Sequence, residues 1–462
     1  MHRFPDLLLP DRGQPATALH VVDKTALPGW RERQPVRVRR LIDAADFRGE
    51  PDQLLLLPVE ADSWSGLVGV EEASQLGPWA LAKAAGALPE GTYRLEGVSL
   101  GDAGLGWLLG QAGFDRYKSK PKLKGPRALL TAEPARIEET LLLARATKLV
   151  RDLVDTPAAD LGPAELQLAA EEIGKECHAQ LRVTSGDALA QGYPMIYAVG
   201  MAAVPARAPR LIELEWGDPK HPRLAIVGKG VVFDTGGLDI KQASGMRLMK
   251  KDMGGAAHAL ALALLIMKSR LPVRLHLLVP AVENAIAGNA FRPGDILKSR
   301  KGLTVEVHNT DAEGRLILAD ALTRAAEATP DLILDFATLT GAARVALGPD
   351  LPALFANHDD LAAALAAAGE AEADPVWRMP LWKPYREMLA SDVADIANAS
   401  DGGMAGAVTA ALFLQKFVPE DLAWAHFDTF AWRAAAKPGR PKGGDALGLR
   451  AAWAMLRSRY GA

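Results

Sequence analysis

The 462-residue sequence predicts a two-domain α/β protein whose larger part is built on a mostly parallel sheet. Three observations favour this fold class. The chain is too long for one hydrophobic core of ordinary size, so two domains are expected from its length. Apolar residues make up 49% and charged residues 24%, as in ordinary globular proteins. Beyond residue 154, strand-like and helix-like segments alternate, which is typical of a parallel sheet covered by helices on both faces.

The first 130 residues predict a smaller α/β domain, because short apolar runs such as "RALLTAE" alternate with helical stretches such as "PWALAKAAGAL". Between 131 and 154, apolar residues recur at intervals of three and four, which predicts an amphipathic connecting helix. The proline-punctuated segment "DTPAADLGP" follows it. The predicted domains are therefore 1–130 and 155–462, joined by the helix over 131–154.

The larger domain is predicted to alternate strands and helices in a regular order. Its predicted strands are "RLIELEW", "RLAIVGKGVVF", "VRLHLLVPAVEN", "DLILDFATLTG" and "LAWAHFDTF". Its predicted helices are "GGAAHALALALLIMKS", "LILADALTRAAEA", "LAAALAAAGEA", "AGAVTAALFLQKF" and a last one near "GLRAAWAMLRS". Ligands of such a sheet are expected at the carboxyl ends of the strands.

Charge and composition disfavour several classes of protein. A formal net charge of -3 gives no overall attraction to nucleic acid, although the basic segment "RYKSKPKLKGPR" leaves a DNA-binding role open. The single cysteine, Cys177, cannot form an internal disulfide. The longest apolar run, Ala256 to Met267, is too short to span a bilayer, and the amino terminus lacks a signal-peptide pattern. A cytoplasmic protein without a membrane partner is predicted.

The segment "NTDAEGRL", Asn309 to Leu316, carries an unusual density of charge. Read as an extended segment, it places Asp311, Glu313 and Arg315 on one face. Two acids on one face repel each other unless a positive charge lies between them. The alternative is a surface turn that has no functional role, in which Arg315 forms ion pairs with both acids.

Two upstream segments add lysines and further acids. In "VGKGVVFDTGGLDIK", Lys229 and Asp234 would lie at strand ends among glycines, and the spacing fits neither a phosphate loop nor a dinucleotide fingerprint. In "MKKDMGGAA", Asp252 would either cap the next helix or supply another carboxylate near the strand ends. No histidine lies in a zinc-peptidase motif such as H-E-x-x-H. The remaining acids and lysines are the composition expected for two divalent cations bridged by carboxylates.

At these three segments the chain resembles the leucyl aminopeptidase family, the two-metal cytosolic aminopeptidases of peptidase family M17. The octapeptide "NTDAEGRL" looks like a highly specific signature of that family, and further similarity runs from about Leu149 to the end. The resemblance implies a macro-like α/β amino-terminal domain, a catalytic α/β domain and a homohexamer. It also implies release of amino-terminal residues, of leucine type with broad preference, from peptides that have a free amino terminus.

Carried over position by position, the resemblance implies five metal ligands, namely Lys229, Asp234, Asp252, Asp311 and Glu313. It implies catalytic roles for Lys241 and Arg315. Two divalent ions per subunit, Zn or Mn before Mg or Co, would share a hydroxide as the nucleophile. Lys229 has to be a neutral amine in order to bind a metal. Lys241 is expected to polarise the scissile carbonyl as an ammonium.

Arg315 is expected to hold an anion at the start of a helix, and in the family this anion is thought to be bicarbonate that carries a proton from the water. Met249, Asn309 and Thr338 occupy positions that line the family's first substrate pocket, so a mainly apolar pocket is expected, with core packing as the alternative for Met249. The chain departs from the family in "HFDTFAW", at Phe427 to Trp432. A catalytically inactive scaffold is disfavoured because the seven metal and catalytic positions are intact.

Overall fold

A computed structural model describes residues 4–59, 63–120 and 125–461. The chain divides into two compact units, of which one comprises 1–148 with 435–442 and the other 149–434 with 443–462. No sequence pattern indicated that 435–442 would group with the amino-terminal unit. The domain limits 1–130 and 155–462 stay a prediction. Residues 121–124 of the basic segment "RYKSKPKLKGPR" lie outside the described residues.

The amino-terminal unit is a six-stranded sheet with helices. Its strands are β1 Leu8–Pro10, β2 Thr17–Val22, β3 Leu54–Pro58, β4 Trp64–Gly69, β5 Gly91–Glu96 and β6 Arg127–Thr131. Its helices are α1 Leu27–Glu32, α2 Val36–Ala44, α3 Ala82–Ala87 and α4 Ala103–Leu109, followed by α5 Ile137–Asp155, which continues into the second unit. The strands lie in the order β1-β6-β5-β2-β4-β3, and all neighbours are parallel except β3 and β4. Tyr93 and Trp107 are fully buried in its core.

The second unit contains a nine-stranded mixed sheet. Its strands are β7 Gln180–Ser185, β8 Arg210–Trp216, β9 Arg223–Gly228, β10 Gly230–Asp234, β11 Arg274–Asn284, β14 Leu332–Ala337, β15 Ala353–Ala356, β16 Trp377–Arg378 and β18 Trp424–Asp428. Outside it, a three-stranded sheet is formed by β12 Ile296–Lys298, β13 Thr304–Glu306 and β17 Ile396–Ala397, and a pair by β19 Trp432–Arg433 and β20 Gly443–Gly444. The order is β16-β15-β18-β14-β9-β11-β8-β7, with β10 beside β11. The central strands β18, β14, β9 and β11 are parallel, so their carboxyl ends meet at one edge.

Helices cover both faces of this sheet. They are α6 Pro163–Cys177, α7 Gly186–Gly192, α8 Pro194–Gly200, α9 Ala243–Met246, α10 Gly254–Lys268, α11 Glu313–Glu327, α12 Gly341–Leu347, α13 Asp359–Ala371, α14 Gly406–Gln415 and α15 Leu449–Tyr460. On one face α10 packs against β9 and β14, with α6 and α15 beside it. On the other face α11 packs against β9 and β11, with α8 and α14 beside it. The predicted fold class is therefore confirmed.

The central strand β9 shows why its sequence is apolar without interruption. Ala225 and Val227 belong to the core that the sheet forms with α8, α11 and α14. Leu224 and Ile226 are equally buried, and the alternation of side chains along a strand directs them to the opposite face. A strand buried on both faces has no polar side, which is typical of central parallel strands.

Two local predictions need correction. The stretch "RLAIVGKGVVF" forms two strands, because Lys229 separates β9 from β10. Helix α11 begins at Glu313 instead of Leu316, so Glu313 and Arg315 lie in a first helical turn and the extended interpretation fails for them. In contrast, the apolar run from Ala256 forms the buried helix α10 as expected. No helix within the described residues is long and apolar enough to cross a membrane.

We predict that Gly255→Ala destabilises the protein, because α10 approaches the end of β14 closely at this residue. A Cβ atom on Gly255 would lie 2.1 Å from the backbone oxygen of Phe336. Overpacking of this kind costs about 1–3 kcal/mol or more, so the melting temperature should fall. Gly245→Ala is the control, since a Cβ there meets no atom within 4 Å. Equal melting temperatures of the two variants would contradict the prediction.

Candidate metal centre

Lys229 reaches the centre from the break between β9 and β10. Its backbone is held on both sides, because its N–H donates to Phe336 O (2.9 Å) and its carbonyl accepts from Ala256 N (2.8 Å). The side chain is buried, with Nζ 2.6 Å from Asp252 Oδ2 and 2.9 Å from Glu313 Oε1. Lys229 therefore joins two carboxylates that are distant in sequence.

Asp234 ends β10 and is fixed by two donors. Gly236 N and Asn284 Nδ2 each donate to its Oδ1 at 2.9 Å. Its other oxygen, Oδ2, lies 2.8 Å from Lys241 Nζ, which also pairs with Asp311 Oδ1. Lys241 thus repeats the arrangement of Lys229, with one ammonium between two carboxylates.

Asp252 lies in a 3-10 turn, Met249–Met253, immediately before α10. Met253, and not Asp252, is the N-cap residue of α10, so the alternative that Asp252 caps this helix is wrong. Instead Oδ1 accepts from Thr338 Oγ1 (2.8 Å) and lies 3.0 Å from Lys251 Nζ. The turn therefore directs Asp252 toward the carboxyl ends of the strands.

The segment "NTDAEGRL" divides its three charges between two directions. Asp311 and Glu313 meet Lys241 and Lys229, respectively. Arg315 turns away, and its Nη1 donates to Asn398 O at 2.6 Å. Within this described segment Arg315 forms no ion pair with either acid, so the alternative of an arginine bracketed by both acids in a surface turn is wrong. Arg315 Nε is buried and has no hydrogen-bond partner among the described residues.

The charges of the centre perturb one another strongly. Burial disfavours the charged form of Lys229, but the carboxylates of Asp252 and Glu313 outweigh burial and raise its pKa. Burial and the nearby Asp234 carboxylate raise the pKa of Glu313 to about 8 and that of Asp311 to about 6. Burial lowers the pKa of Arg315 to about 10. The acids are thus crowded enough that additional positive charge would stabilise their ionised forms.

The residues of the centre fit a divalent cation. Carboxylate oxygens of Asp234, Asp252 and Glu313 lie within 4.8 Å of one another. Glu313 is only 1% exposed, and its Oε2 has no hydrogen-bond partner in the described part of the chain. A buried carboxylate oxygen without a partner is costly unless a cation or water satisfies it. Oxygen and amine donors suit Zn, Mn, Mg or Co.

The centre opens into a cavity of about 280 Å³. All seven sequence-predicted metal and catalytic positions line it, together with Met249, Asn309 and Thr338. Most of the lining of the whole cavity is polar or charged, and the expectation of a mainly apolar first substrate pocket at Met249, Asn309 and Thr338 stays a prediction. The hydroxyl of Thr338 is engaged by Asp252, which makes Thr338 a support for that carboxylate.

Several supporting residues were missed by the sequence analysis. Asn284 is fully buried at the end of β11 and links Asp234 to Thr310 O through its amide. Lys251 is buried beside Asp252, and the backbone oxygen of Asn398 accepts a hydrogen bond from Arg315. A polar residue that closes an apolar strand, as Asn284 does in "VRLHLLVPAVEN", was the available signal. The sequence offers no comparable signal for Asn398.

An oxygen-and-amine centre at the strand ends of an α/β sheet is characteristic of a metallohydrolase. The profile of the cytosol aminopeptidase family, catalytic domain, matches residues 148–452, and that of the M17 aminopeptidase amino-terminal domain matches 17–129. The chain therefore belongs to the cytosol aminopeptidase family, M17, as the sequence resemblance indicated. It is a metallo-exopeptidase hydrolase of this class and acts on peptides.

Individual relatives support this membership over most of the chain. A probable cytosol aminopeptidase of Roseiflexus castenholzii is 43% identical over 369 residues, which cover 76% of this chain and 75% of the relative. The crystal structure of cytosol aminopeptidase from Coxiella burnetii has a TM-score of 0.92 and 44% identity, and the match covers 98% and 99% of the two chains. The bottromycin maturation enzyme BotP in complex with Mn has a TM-score of 0.87 and 32% identity, with 97% and 100% covered.

We predict that Asn284→Ala weakens binding of divalent metal. The substitution removes the amide that holds Asp234 Oδ1, so this carboxylate gains freedom to turn. Loss of a group that orients a ligand typically lowers metal affinity about 10–100-fold. Calorimetric titration of EDTA-treated protein with Mn²⁺ measures the effect. Asn289→Ala is the matched control, because this exposed amide donates to Met201 O away from the centre, and indistinguishable affinities of the two variants would refute the prediction.

Proposed function

We propose that the protein releases amino-terminal residues, of leucine type with broad preference, from peptides that have a free amino terminus. The single observation that carries this proposal is the convergence of four carboxylates and two lysines in one cavity at the strand ends. Membership of the M17 family supports the same reaction class. The protein is further proposed to be a cytoplasmic homohexamer, with no membrane partner.

The proposed metal ligands are Lys229, Asp234, Asp252, Asp311 and Glu313. They would hold two divalent ions, Zn or Mn before Mg or Co, and the Mn in the structure of BotP supports the choice of Mn. Ions held by these residues would supply an activated water molecule as the nucleophile for the scissile carbonyl. Lys229 would give up its proton in order to bind, since only the neutral amine has a free electron pair.

Lys241 is proposed to act on the carbonyl oxygen of the scissile bond. Its ammonium is half-buried, and the carboxylates of Asp234 and Asp311 outweigh burial and raise its pKa, so it remains charged at neutral pH. A fixed positive charge in a partly desolvated cavity stabilises the negative charge that develops on that oxygen. The two carboxylates that flank Lys241 hold its side chain in position.

Arg315 is proposed to hold an anion, with bicarbonate as the candidate. It lies in the first turn of α11, where unpaired backbone N–H groups also favour negative charge. Its guanidinium retains an unpartnered Nε, so it has capacity for an acceptor beyond Asn398 O. Bicarbonate would supply a proton acceptor close to the carboxylates.

We expect the EDTA-treated protein reloaded with Mn²⁺ or Zn²⁺ to hydrolyse a panel of aminoacyl amides, and to leave amino-terminally acetylated peptides intact. Glu313→Gln should lower kcat/KM by at least about a hundredfold, because losing a ligand costs more than losing a group that orients one. Glu71→Gln, exposed in the amino-terminal unit, is the control. Absence of turnover for every amide with either metal would eliminate the proposed function.

We expect added bicarbonate to raise the activity of the metal-loaded protein, whereas chloride at equal ionic strength should not. Arg315→Ala should lower kcat and abolish the response to bicarbonate, with a loss of about a hundredfold or more if a base is displaced. Steady-state rates across a bicarbonate series measure both effects. If neither bicarbonate nor the substitution changes the rate, Arg315 has no such role.

A further inference from the structure

Arg344 brings a fifth cationic side chain to the cavity of the metal centre. It lies on α12 and is partly buried. It shares the cavity with Lys229, Lys241, Lys251 and Arg315, and these five cations face four carboxylates there. Neither the metal ligands nor the proposed catalytic positions include Arg344.

Arg344 differs from the other cations in its partners. Each of the three lysines pairs with a carboxylate, and Arg315 donates to a carbonyl oxygen. Among the described residues, no carboxylate lies within 4.0 Å of the Arg344 guanidinium, and none of its N–H groups donates a hydrogen bond to another residue. An arginine fork with free donors that faces an active-site cavity is suited to an anionic group of a ligand.

The ring of Phe430 supports this guanidinium. Arg344 Cζ lies 4.7 Å from the ring centroid, and Lys251 Nζ lies 6.0 Å from the same centroid. A guanidinium that stacks on an aromatic ring keeps its N–H donors directed outward and loses less freedom when it binds. Phe430 belongs to the segment Phe427 to Trp432, where the chain departs from the usual family sequence.

Gly341 leaves room for the same group. A Cβ atom on Gly341 would lie 3.4 Å from Arg344 Nη2, so the backbone passes directly beside the guanidinium. Thr338 and Thr340 border the cavity on the same connection between β14 and α12. The guanidinium is therefore within the cavity that the metal-ligand candidates share.

Resting on the proposed aminopeptidase function, we propose that Arg344 binds a carboxylate of the peptide substrate. This carboxylate comes either from an acidic side chain or from the carboxyl terminus of a short peptide. Both sources offer two oxygens to the planar fork of the guanidinium. Bound divalent ions would add positive charge to the cavity and further favour an anionic substrate.

The test compares substrates that differ by one carboxylate. Glu-Leu-amide against Gln-Leu-amide tests an acidic side chain, and Leu-Leu against Leu-Leu-amide tests the carboxyl terminus. The readout in each pair is kcat/KM of the substrate with the additional carboxylate divided by kcat/KM of its neutral counterpart. A general loss of folded or metal-loaded protein lowers both values equally and leaves this ratio unchanged. A role of Arg344 in packing alone would leave these ratios unchanged.

Arg344→Gln should lower the ratio by about tenfold or more in one pair, since a hydrogen bond to a charged group contributes that much. Arg344→Lys should give a ratio between those of the unsubstituted protein and Arg344→Gln, because lysine keeps the positive charge and lacks the planar fork of the guanidinium. Arg40→Gln, on the exposed side of α2, should keep the ratios of the unsubstituted protein. The pair in which the ratio changes identifies the source of the carboxylate.

Ratios that agree within about twofold between the unsubstituted protein and Arg344→Gln in both pairs would overturn the proposal. If Arg344→Gln fails to fold, the ratios of Arg344→Lys and of Phe430→Leu decide in its place. Failure of the proposed function itself would be distinct, because the metal-loaded unsubstituted protein would then hydrolyse none of the four substrates.

Discussion

The pairing of four carboxylates, three of them buried, with Lys229 and Lys241 is the constraint on which the second unit depends. A buried carboxylate without a partner is strongly destabilising, so each acid of the centre has to meet a positive charge or a donor. Lys229 meets Asp252 and Glu313, while Lys241 meets Asp234 and Asp311. These pairs join the ends of β10 and β9 to the starts of α10 and α11. The same charges that bring these elements together are those suited to hold divalent cations.

The sheet makes this arrangement rigid. Parallel central strands end at one edge, and the helices that follow them begin there, so polar groups from separate segments converge without a long loop. The apolar core on both faces of β9 and the close approach at Gly255 hold these ends in place. Asn284 and Thr338 then orient individual carboxylates through hydrogen bonds. Precision in the centre therefore comes from ordinary packing and from neutral donors around the charged groups.

The metal-ligand candidates and Arg344 have different proposed roles in the cavity. The metallo-exopeptidase class follows from the family, and the proposed metal ligands lie within residues 148–452, which match the family's catalytic domain. Arg344 lines the cavity and stacks on Phe430, which belongs to the segment where the sequence departs from the one usual in the family. Substrate preference is the property that Arg344 would affect, because its positive charge lies beside the centre and it is not one of the metal-ligand candidates.

The sequence by itself determined the α/β class, the buried helix α10 and the segments from which the centre is built, because periodicity and short motifs are local properties. It could not determine that Arg315 turns away from Asp311 and Glu313, since that depends on the start of α11 at Glu313 and on Asn398 from a distant segment. Nor could it identify Asn284 as the support of Asp234, or show that Arg344 of α12 stacks on the ring of Phe430. These contacts join residues far apart in the chain, and only the packing of the sheet and its helices brings those residues together.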